Sequence, residues 1–262
     1  DYHLKNGTNG IVPGGTTGES PTLSHNEHKK IIEISVKECN SKIPVIAGTG
    51  SNSTDEAVEL SKFAEKAGSD ALLVVTPYYN KPTQEGLYQH YKKISDNVGI
   101  PILIYNIPSR SVIDMTVETM TKLYELKNII GVKDATGDLE RVALQKKSMG
   151  NDFIQLTGND DNALEFNKLG GVGAIGVTAN IAAKLSSDFQ NACVNDKNKA
   201  FELNKILQPL HTAMFIESNP SPVKYAASLL KMCSPSVRLP LVEVRDITKK
   251  KISEALKVAK IL

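Results

Sequence analysis

A lysine at the end of an apolar run is the residue in this sequence that most plainly suggests chemistry. Lys133 follows residues 129–132, Ile-Ile-Gly-Val, which otherwise have the composition of a buried β-strand. Burial disfavours the charged ammonium, so such a lysine loses its proton more readily than its reference pKa of about 10.4 implies. An uncharged amine that faces a cleft can condense with a carbonyl substrate to form a Schiff base. The alternative, which holds for most strand-end lysines, is a side chain whose charged head extends to solvent.

Tyr105 stands at the end of the preceding apolar run, and Arg110 follows it five residues later. If neighbouring strands pair in sequence order, Tyr105 lies beside Lys133, where its phenol can move protons to and from a carbinolamine. Arg110 follows in a loop, where a guanidinium can bind a carboxylate through two parallel hydrogen bonds. A core aromatic residue and a surface arginine are the alternatives for these two positions.

The segment Gly15-Thr16-Thr17-Gly18 lies between a predicted strand and a predicted helix. Its two glycines allow a tight turn whose backbone N–H groups suit a small anion such as a carboxylate. The segment lacks the Gly-x-Gly-x-x-Gly and Walker patterns, which argues against a nucleotide. His25 and His28 are three residues apart at a helix start with no third ligand nearby. That pattern is more typical of solvated polar residues than of a metal site.

The elements that must position these residues alternate along the chain. Seven short apolar runs recur, each followed by a polar turn and a stretch with helical periodicity. The runs cover residues 10–13, 43–48, 71–76, 101–106, 129–134, 153–157 and 173–178. Their continuous apolar character predicts parallel strands, and their spacing of about thirty residues favours a (β/α)8 TIM barrel. Since that barrel needs eight strands, we expect the first strand and most of the first helix upstream of Asp1; a seven-stranded barrel is the alternative.

The C-terminal part of the sequence is richer in helix than one barrel unit requires. Helical patterns, broken by prolines, cover residues 182–200, 201–215, 222–232 and 247–262. We therefore expect residues 1–181 to form the barrel, as its strands 2–8. Residues 182–262 then form the last barrel helix and a C-terminal helical appendage. Earlier in the chain, Ser53 and Glu56 predict a capping box at a helix start.

Composition limits the classes of function. Lys and Arg total 31 and Asp and Glu total 29 over 262 residues, so no single-sign field exists to bind a nucleic acid. The longest apolar runs fall far short of the roughly 20 residues of a membrane helix. Three cysteines, in no Cys-x-x-Cys pair, predict reduced thiols in a cytoplasmic protein. We expect no metal, no cofactor, no nucleic acid and no membrane partner.

The sequences at the strand ends together resemble the class I aldolase family that includes dihydrodipicolinate synthase and N-acetylneuraminate lyase. The resemblance extends along essentially the whole chain and rests on six motifs: GTTGES at 15–20, IAGTG at 46–50, TPYYN at 76–80, YNIPSR at 105–110, GVKDATG at 131–137 and NPSPVK at 219–224. It implies a Schiff base between Lys133 and pyruvate. It also implies a proton relay of Thr16, Tyr105 and Tyr79. Tyr79 would reach into the site of a neighbouring subunit, which implies a homotetramer of two tight dimers.

The same resemblance implies the remaining substrate contacts. Thr17 and the backbone near Ile175 would hold the carboxylate of pyruvate. Arg110 would position the carboxylate of L-aspartate 4-semialdehyde, and Gly158 would line the pocket. Thr17 and Arg110 favour the synthase branch, which condenses these two substrates to 4-hydroxy-tetrahydrodipicolinate in lysine and diaminopimelate biosynthesis. A related pyruvate-dependent sugar-acid aldolase and a non-catalytic small-acid-binding paralogue are the alternatives.

A feedback site for L-lysine at a subunit interface is the last property that the resemblance implies. Its residues map onto Ser20, His25, His28, Asn52, Glu56 and Tyr78. These polar and charged residue types suit an amino-acid effector, and inhibition by L-lysine is therefore a hypothesis.

Overall fold

The structure, a computed structural model, describes residues 1–262 and separates into two compact units. The larger unit consists of Gly10–Gly14 and His25–Ile175. The smaller unit consists of Asp1–Asn9, Gly15–Ser24 and Gly176–Leu262. The candidate lysine therefore belongs to the larger unit, and the glycine–threonine loop belongs to the smaller one.

The larger unit is built on a parallel sheet whose strands follow one another in sequence order. The six strands are β1 (Ile46–Gly48), β2 (Ala71–Val75), β3 (Ile102–Asn106), β4 (Ile129–Asp134), β5 (Ile154–Thr157) and β6 (Gly173–Ala174). Strands in this order, with a helix in each connection, confirm the predicted parallel α/β class. All carboxyl ends of parallel strands lie at one edge of the sheet, so residues at those ends are neighbours.

The first of the seven predicted runs, residues 10–13, is not a full strand, and the sheet has six strands. Ile11 forms an isolated parallel bridge with Val45. A backbone hydrogen bond from Ile46 N to Ile11 O, 2.9 Å long, continues the pairing in the same direction. The pairing continues to Pro13, whose carbonyl accepts a hydrogen bond from Gly48 N at 2.8 Å, but Pro13 has no N–H of its own to donate to a ladder.

Twelve α-helices complete the chain. They are α1 (Tyr2–Lys5), α2 (His25–Cys39), α3 (Thr54–Ala67), α4 (Gln84–Ser95), α5 (Pro108–Ser111), α6 (Val117–Tyr124), α7 (Glu140–Met149), α8 (Ala163–Lys168), α9 (Ala183–Asn195), α10 (Lys197–Ala213), α11 (Ser221–Leu229) and α12 (Asp246–Val258). Three short 3₁₀ helices cover Ser20–Thr22, Asp160–Asn162 and Thr178–Asn180. No helix has both the length and the apolar composition that spanning a bilayer requires.

The side chains of the sheet alternate between two apolar clusters, as the strand period of two requires. On β3, Ile102 and Ile104 pack with the inward faces of the helices, whereas Leu103 and Tyr105 belong to the cluster on the opposite face. The register between β3 and β4 places Tyr105 opposite Lys133. Both candidate residues therefore project from the face of the sheet that the helices do not cover.

The prediction of a capping box at Ser53 and Glu56 is wrong, because its hydrogen bonds do not form. Ser53 occupies the N-cap position of α3, but its side chain makes no capping hydrogen bond. Glu56 turns to His25, whose Nε2 lies 2.7 Å from the carboxylate, and accepts a hydrogen bond from the hydroxyl of Ser51. These partners are available because the sheet brings α2 and the end of β1 next to the start of α3, a long-range effect that local spacing does not reveal.

One helix boundary in the smaller unit also differs from the prediction. The sequence predicted a single helix over residues 182–200, whereas α9 ends at Asn195 and α10 begins at Lys197. Asp196 lies between them and accepts a hydrogen bond from Lys199 N through its side chain, at 3.1 Å. An aspartate N-cap is a strong start signal, and it divides an otherwise continuous helical pattern.

Candidate active site

Lys133 and Tyr105 form the centre of the candidate site in the larger unit. Because β3 and β4 pair in sequence order, Tyr105 lies directly opposite Lys133, as that order predicts. The amine of Lys133 is 4.1 Å from the centroid of the Tyr105 ring, and Tyr105 is buried. A buried phenol next to an amine can exchange protons with an intermediate that forms on the amine.

The surroundings of Lys133 raise the fraction of its amine that is uncharged. Burial is the largest effect and lowers its pKa to about 8, while the carboxylate of Asp160 raises the pKa and the guanidinium of Arg110 lowers it. At pH 7 a pKa of about 8 leaves roughly 300-fold more uncharged amine than the ordinary pKa of lysine. Lys133 as a residue is partly buried, and atoms packed around its amine supply the desolvation.

Gly158 and Ile175 line the same side of the sheet. A Cβ atom at Gly158 would lie 3.0 Å from Cε of Lys133 and 2.7 Å from Cβ of Ala135, so this position has room only for glycine. Ile175 packs in the apolar cluster that contains Tyr105. Its own N–H donates to the carbonyl of Thr157 at 2.9 Å, so a carboxylate held by the backbone near Ile175 must use another amide.

Arg110 and Tyr79 are exposed in the larger unit. Arg110 lies on the short helix α5, close enough to Lys133 for its charge to lower the pKa of the amine. Tyr79 is 88% exposed and has a φ of +75°, a left-handed conformation that costs a non-glycine residue about 1 kcal/mol or more. The turn around Tyr79 is held by Asn52, whose side chain donates to the carbonyl of Tyr78 at 3.1 Å. Within one chain, most of the Tyr79 side chain is therefore open to solvent.

Thr16 and Thr17 lie in the smaller unit, in a loop that α11 and the segment before it hold in place. The hydroxyl of Thr17 accepts a hydrogen bond from Nδ2 of Asn219 at 3.0 Å. Glu19 has a φ of +59°, and its carboxylate pairs with Lys224 on α11. The carbonyl of Thr16 accepts a hydrogen bond from Glu19 N at 3.1 Å, which closes the turn.

Most residues of the predicted L-lysine site lie in the larger unit. His25 and Glu56 form the 2.7 Å pair described above. The side chain of Asn52 donates a hydrogen bond to the backbone carbonyl of Tyr78. Ser20 belongs to the smaller unit, where it begins a 3₁₀ helix. Four of the six residues are thus joined in two contacts, His25 with Glu56 and Asn52 with Tyr78.

His28 is buried, and the prediction that it is a solvated residue is wrong. Its Nε2 hydrogen-bonds the carbonyl of Gly48 at 2.7 Å. The backbone of Gly14, with a φ of +69°, passes so close that a Cβ there would lie 2.4 Å from the same nitrogen. The ring therefore fills a space between two backbone segments, and that nitrogen is already engaged.

The sequence analysis missed a buried ion pair behind Lys133. Nε of Arg141 on α7 lies 3.0 Å from Oδ2 of Asp134, and both side chains are buried. The available signal was the aspartate directly after the lysine: the alternation of the strand turns it towards the helices, where a carboxylate requires a partner. The sequence analysis also missed the roles of Asn219 and Lys224, which hold the threonine loop and lie in the motif NPSPVK.

A parallel α/β sheet with a lysine of lowered pKa at a strand end, beside a phenol, has the features of an enzyme that forms a Schiff base with its substrate. The sequence model of the Dihydrodipicolinate synthetase family matches residues 1–259. The chain therefore belongs to the dihydrodipicolinate synthetase family, and the resemblance seen in its motifs is confirmed.

Individual relatives agree with this assignment. The 4-hydroxy-tetrahydrodipicolinate synthase of Pelagibacter ubique is 68% identical over 265 residues, which cover 100% of this chain and 90% of the relative. A crystal structure of the chloride-inhibited dihydrodipicolinate synthase from Acinetobacter baumannii complexed with pyruvate matches with a TM-score of 0.97 and 45% identity, over 100% of this chain and 90% of that one. The enzyme from Cyanidioschyzon merolae with lysine bound matches with a TM-score of 0.95 and 35% identity, over 100% and 89%.

Proposed function

We propose that the chain catalyses the condensation of pyruvate with L-aspartate 4-semialdehyde to 4-hydroxy-tetrahydrodipicolinate, a step of lysine and diaminopimelate biosynthesis. The observation that carries the proposal is the amine of Lys133, whose pKa burial lowers to about 8 and which lies 4.1 Å from the centroid of the Tyr105 ring. The family, and the 68% identity to a relative that bears the name of this synthase, support the choice of substrates.

The chemistry follows from an uncharged amine at this place. The amine of Lys133 adds to the keto carbon of pyruvate, and the carbinolamine loses water to give an imine. The protonated imine is an electron sink, so the methyl group of the bound pyruvate loses a proton and becomes an enamine. The enamine carbon attacks the aldehyde carbon of the second substrate. The amine of the adduct then displaces Lys133, which closes the ring and returns the free lysine.

The proton transfers require groups near the amine. We assign them to Tyr105, to Thr16 and to Tyr79 of a neighbouring subunit. The burial of the Tyr105 phenol next to Lys133 supports its role directly. The 88% exposure of Tyr79, on a turn held by Asn52, supports a function outside its own chain.

The substrate carboxylates require donors. We assign the carboxylate of pyruvate to Thr17 and to the backbone near Ile175, and the carboxylate of L-aspartate 4-semialdehyde to Arg110. The exposed guanidinium of Arg110 can bind a carboxylate through two parallel hydrogen bonds. We assign Gly158 to the lining of the pocket. A larger residue there would clash with the side chain of Lys133.

Borohydride trapping tests the proposal. Pyruvate and borohydride together should attach a reduced three-carbon adduct to Lys133, located by mass mapping of peptides. Lys133→Ala should take up no adduct, and the matched surface variant Lys127→Ala should be labelled as the wild type is. A folded wild-type protein that takes up no adduct, or takes it up at another lysine, would refute the proposal and favour a non-catalytic binder of small acids.

A comparison of aldehydes separates the synthase from a sugar-acid aldolase. The trapped enzyme forms from pyruvate in both cases, so the discriminating measurement is turnover with each second substrate. We expect turnover with L-aspartate 4-semialdehyde and a large loss in Arg110→Gln. Faster turnover with a sugar aldehyde would assign the chain to the other branch.

We further propose that L-lysine inhibits the enzyme at a site formed by Ser20, His25, His28, Asn52, Glu56 and Tyr78. A related enzyme with lysine bound supports the effector, and the carboxylate of Glu56 supplies a partner for its ammonium. Since His28 is buried and bonded to the carbonyl of Gly48, it is assigned a supporting role beneath the site. A titration to millimolar L-lysine that left turnover unchanged would exclude this inhibition.

The assembly and the complete fold are also proposals. We assign the chain to a (β/α)8 barrel in which residues 1–181 supply strands 2–8 and residues 182–262 supply the last helix and the helical appendage, and the TM-scores support the barrel. The strand upstream of Asp1 stays a prediction. A homotetramer, which sedimentation velocity can test, is the state in which Tyr79 can serve a neighbour. Three free cysteines support a cytoplasmic location.

A further inference from the structure

The strands that carry Tyr105 and Lys133 each end in a second polar residue that faces the other way. Asn106 follows Tyr105, Asp134 follows Lys133, and the register pairs Asn106 with Asp134 as it pairs Tyr105 with Lys133. Asn106 is fully buried and Asp134 is 5% exposed. Two buried polar side chains therefore lie directly behind the two residues to which the chemistry is assigned.

The carboxylate of Asp134 is fully provided with hydrogen-bond donors. Its Oδ2 accepts from Nε of Arg141 at 3.0 Å and from Nε2 of Gln145 at 3.0 Å. Its Oδ1 accepts from the N–H and the hydroxyl of Thr136, at 2.9 and 2.6 Å. Four directional contacts fix the carboxylate, and with it the backbone of β4 at the residue next to Lys133.

The guanidinium of Arg141 also reaches the segment that follows the helix carrying Arg110. Its Nη2 donates to the carbonyl of Met115 at 2.8 Å, and its Nη1 lies 3.5 Å from Oδ2 of Asp114. Asn106 binds the same segment: its Nδ2 donates to Oδ1 of Asp114 at 2.7 Å, and its Oδ1 accepts from Met115 N at 3.1 Å. One arginine thus connects the end of β4 with the loop 112–116.

We propose that Arg141 is a positioning residue that sets the distance between Lys133 and Arg110. Through Asp134 it fixes the end of the strand that carries the nucleophile, and through Met115 and Asp114 it fixes the loop directly after the arginine assigned to the second substrate. This inference rests on the proposed function. Its distinctive consequence is that loss of the guanidinium fork impairs the reaction with the aldehyde more than the reaction with pyruvate. Asp134, at the end of the strand that carries the amine, keeps its hydrogen bonds from Thr136 and Gln145, whereas the loop after Arg110 loses the bond from Arg141 to Met115.

Arg141→Lys is the decisive variant because it keeps the charge next to Asp134 and removes the planar fork that reaches two partners. A displacement of about 1 Å in a reacting group costs up to about 100-fold in rate. We expect kcat/KM for L-aspartate 4-semialdehyde to fall by about 10- to 100-fold per active site, with a smaller change in the KM for pyruvate. Active sites are counted by borohydride trapping with pyruvate, so loss of folded protein does not enter the comparison.

Asn128→Ala is the matched control. Asn128 lies just before β4, at the end opposite Lys133, and its buried side chain donates to the carbonyls of Ser95 and Val98 at 3.3 and 3.0 Å. Its loss destabilises the same strand without touching the loop after Arg110. We expect fewer trapped sites or a lower Tm, with both KM values and kcat per trapped site unchanged. The proposal is overturned if Arg141→Lys behaves in this same way.

Asp114→Asn decides the question if Arg141→Lys does not fold. The side chain of Asp114 is 51% exposed, so its loss of charge is compatible with the fold, yet it removes the acidic partner of Arg141 in the loop. A raised KM for the aldehyde with an unchanged rate of pyruvate trapping then supports the proposal, and unchanged KM values overturn it. Failure of the wild type to trap pyruvate or to use the aldehyde would instead refute the proposed function.

Discussion

Replacement of Gly158 by alanine is a small change that acts directly on the proposed nucleophile. The added Cβ would lie 2.7 Å from Cβ of Ala135 and 3.0 Å from Cε of Lys133. Carbon atoms in ordinary contact are about 3.5–4.0 Å apart, so the neighbours must separate by about 1 Å. Gly158 N donates to the carbonyl of Asp134 at 2.7 Å, which ties position 158 to β4 and leaves the side chain of Lys133 as the group with most freedom to move.

The magnitude follows from that displacement. A shift of about 1 Å in the attacking amine predicts a loss of up to about 100-fold in the rate of imine formation. Overpacking of this kind costs about 1–3 kcal/mol of stability, so the variant remains folded but melts at a lower temperature. The effect on the rate is therefore larger than the effect on the folded fraction, and the two can be measured separately.

Rapid-quench borohydride trapping gives the rate of imine formation, and thermal denaturation gives the stability. Gly99→Ala is the control, because its Cβ would meet only the flexible end of Glu65, at 3.2 Å. The double variant Ala135→Gly/Gly158→Ala removes the contact with Ala135 but keeps the one with Lys133. We expect it to regain stability and not rate. An imine-formation rate in Gly158→Ala equal to that of the wild type would refute the assignment of Lys133, packed against Gly158, as the nucleophile.

Further predictions concern pH, charge and regulation. Because Lys133 must be uncharged to attack and its pKa is lowered to about 8, kcat/KM for pyruvate should fall about tenfold per pH unit below pH 8; a flat profile down to pH 6 would contradict this. Asp160→Asn removes a carboxylate that raises the pKa of Lys133, so the acidic limb of the same profile should move to lower pH. Arg110→Gln should raise the KM for the aldehyde by about 10- to 100-fold and move that limb to higher pH, and a KM equal to that of the wild type would argue against its role. Glu56→Gln should weaken inhibition by L-lysine in a turnover assay, and equal inhibition of both proteins would place the effector elsewhere.

The central pair of the site could be predicted because it depends on simple rules. Parallel strands that pair in sequence order bring consecutive strand ends together, so the position of Tyr105 beside Lys133 follows from the alternation of apolar runs and helices. The lowered pKa of Lys133 follows from its place in an apolar run. The assignment of substrates depended on motif resemblance, since no periodicity distinguishes one aldehyde from another.

The errors have a common physical origin in long-range contacts. Glu56 was assigned to a local capping box, but in the folded chain it pairs with His25, which lies 31 residues earlier in the sequence. His28 was expected in solvent, but a close backbone approach by Gly14 encloses it. Arg141 was overlooked because a charged residue on an amphipathic helix is usually exposed, and only the tertiary structure shows that Asp134 lies beneath it.

The position of Tyr79 affects how the enzyme must be handled. An aromatic ring that is 88% exposed on a held turn is completed by another chain under the proposed assembly, so the catalytic machinery exists only while chains are associated. By mass action, specific activity should then decline as the protein is diluted below its dissociation constant and recover on concentration. Assays at nanomolar enzyme would understate its turnover, and any crowding agent or ligand that favours association would act as an activator without touching Lys133.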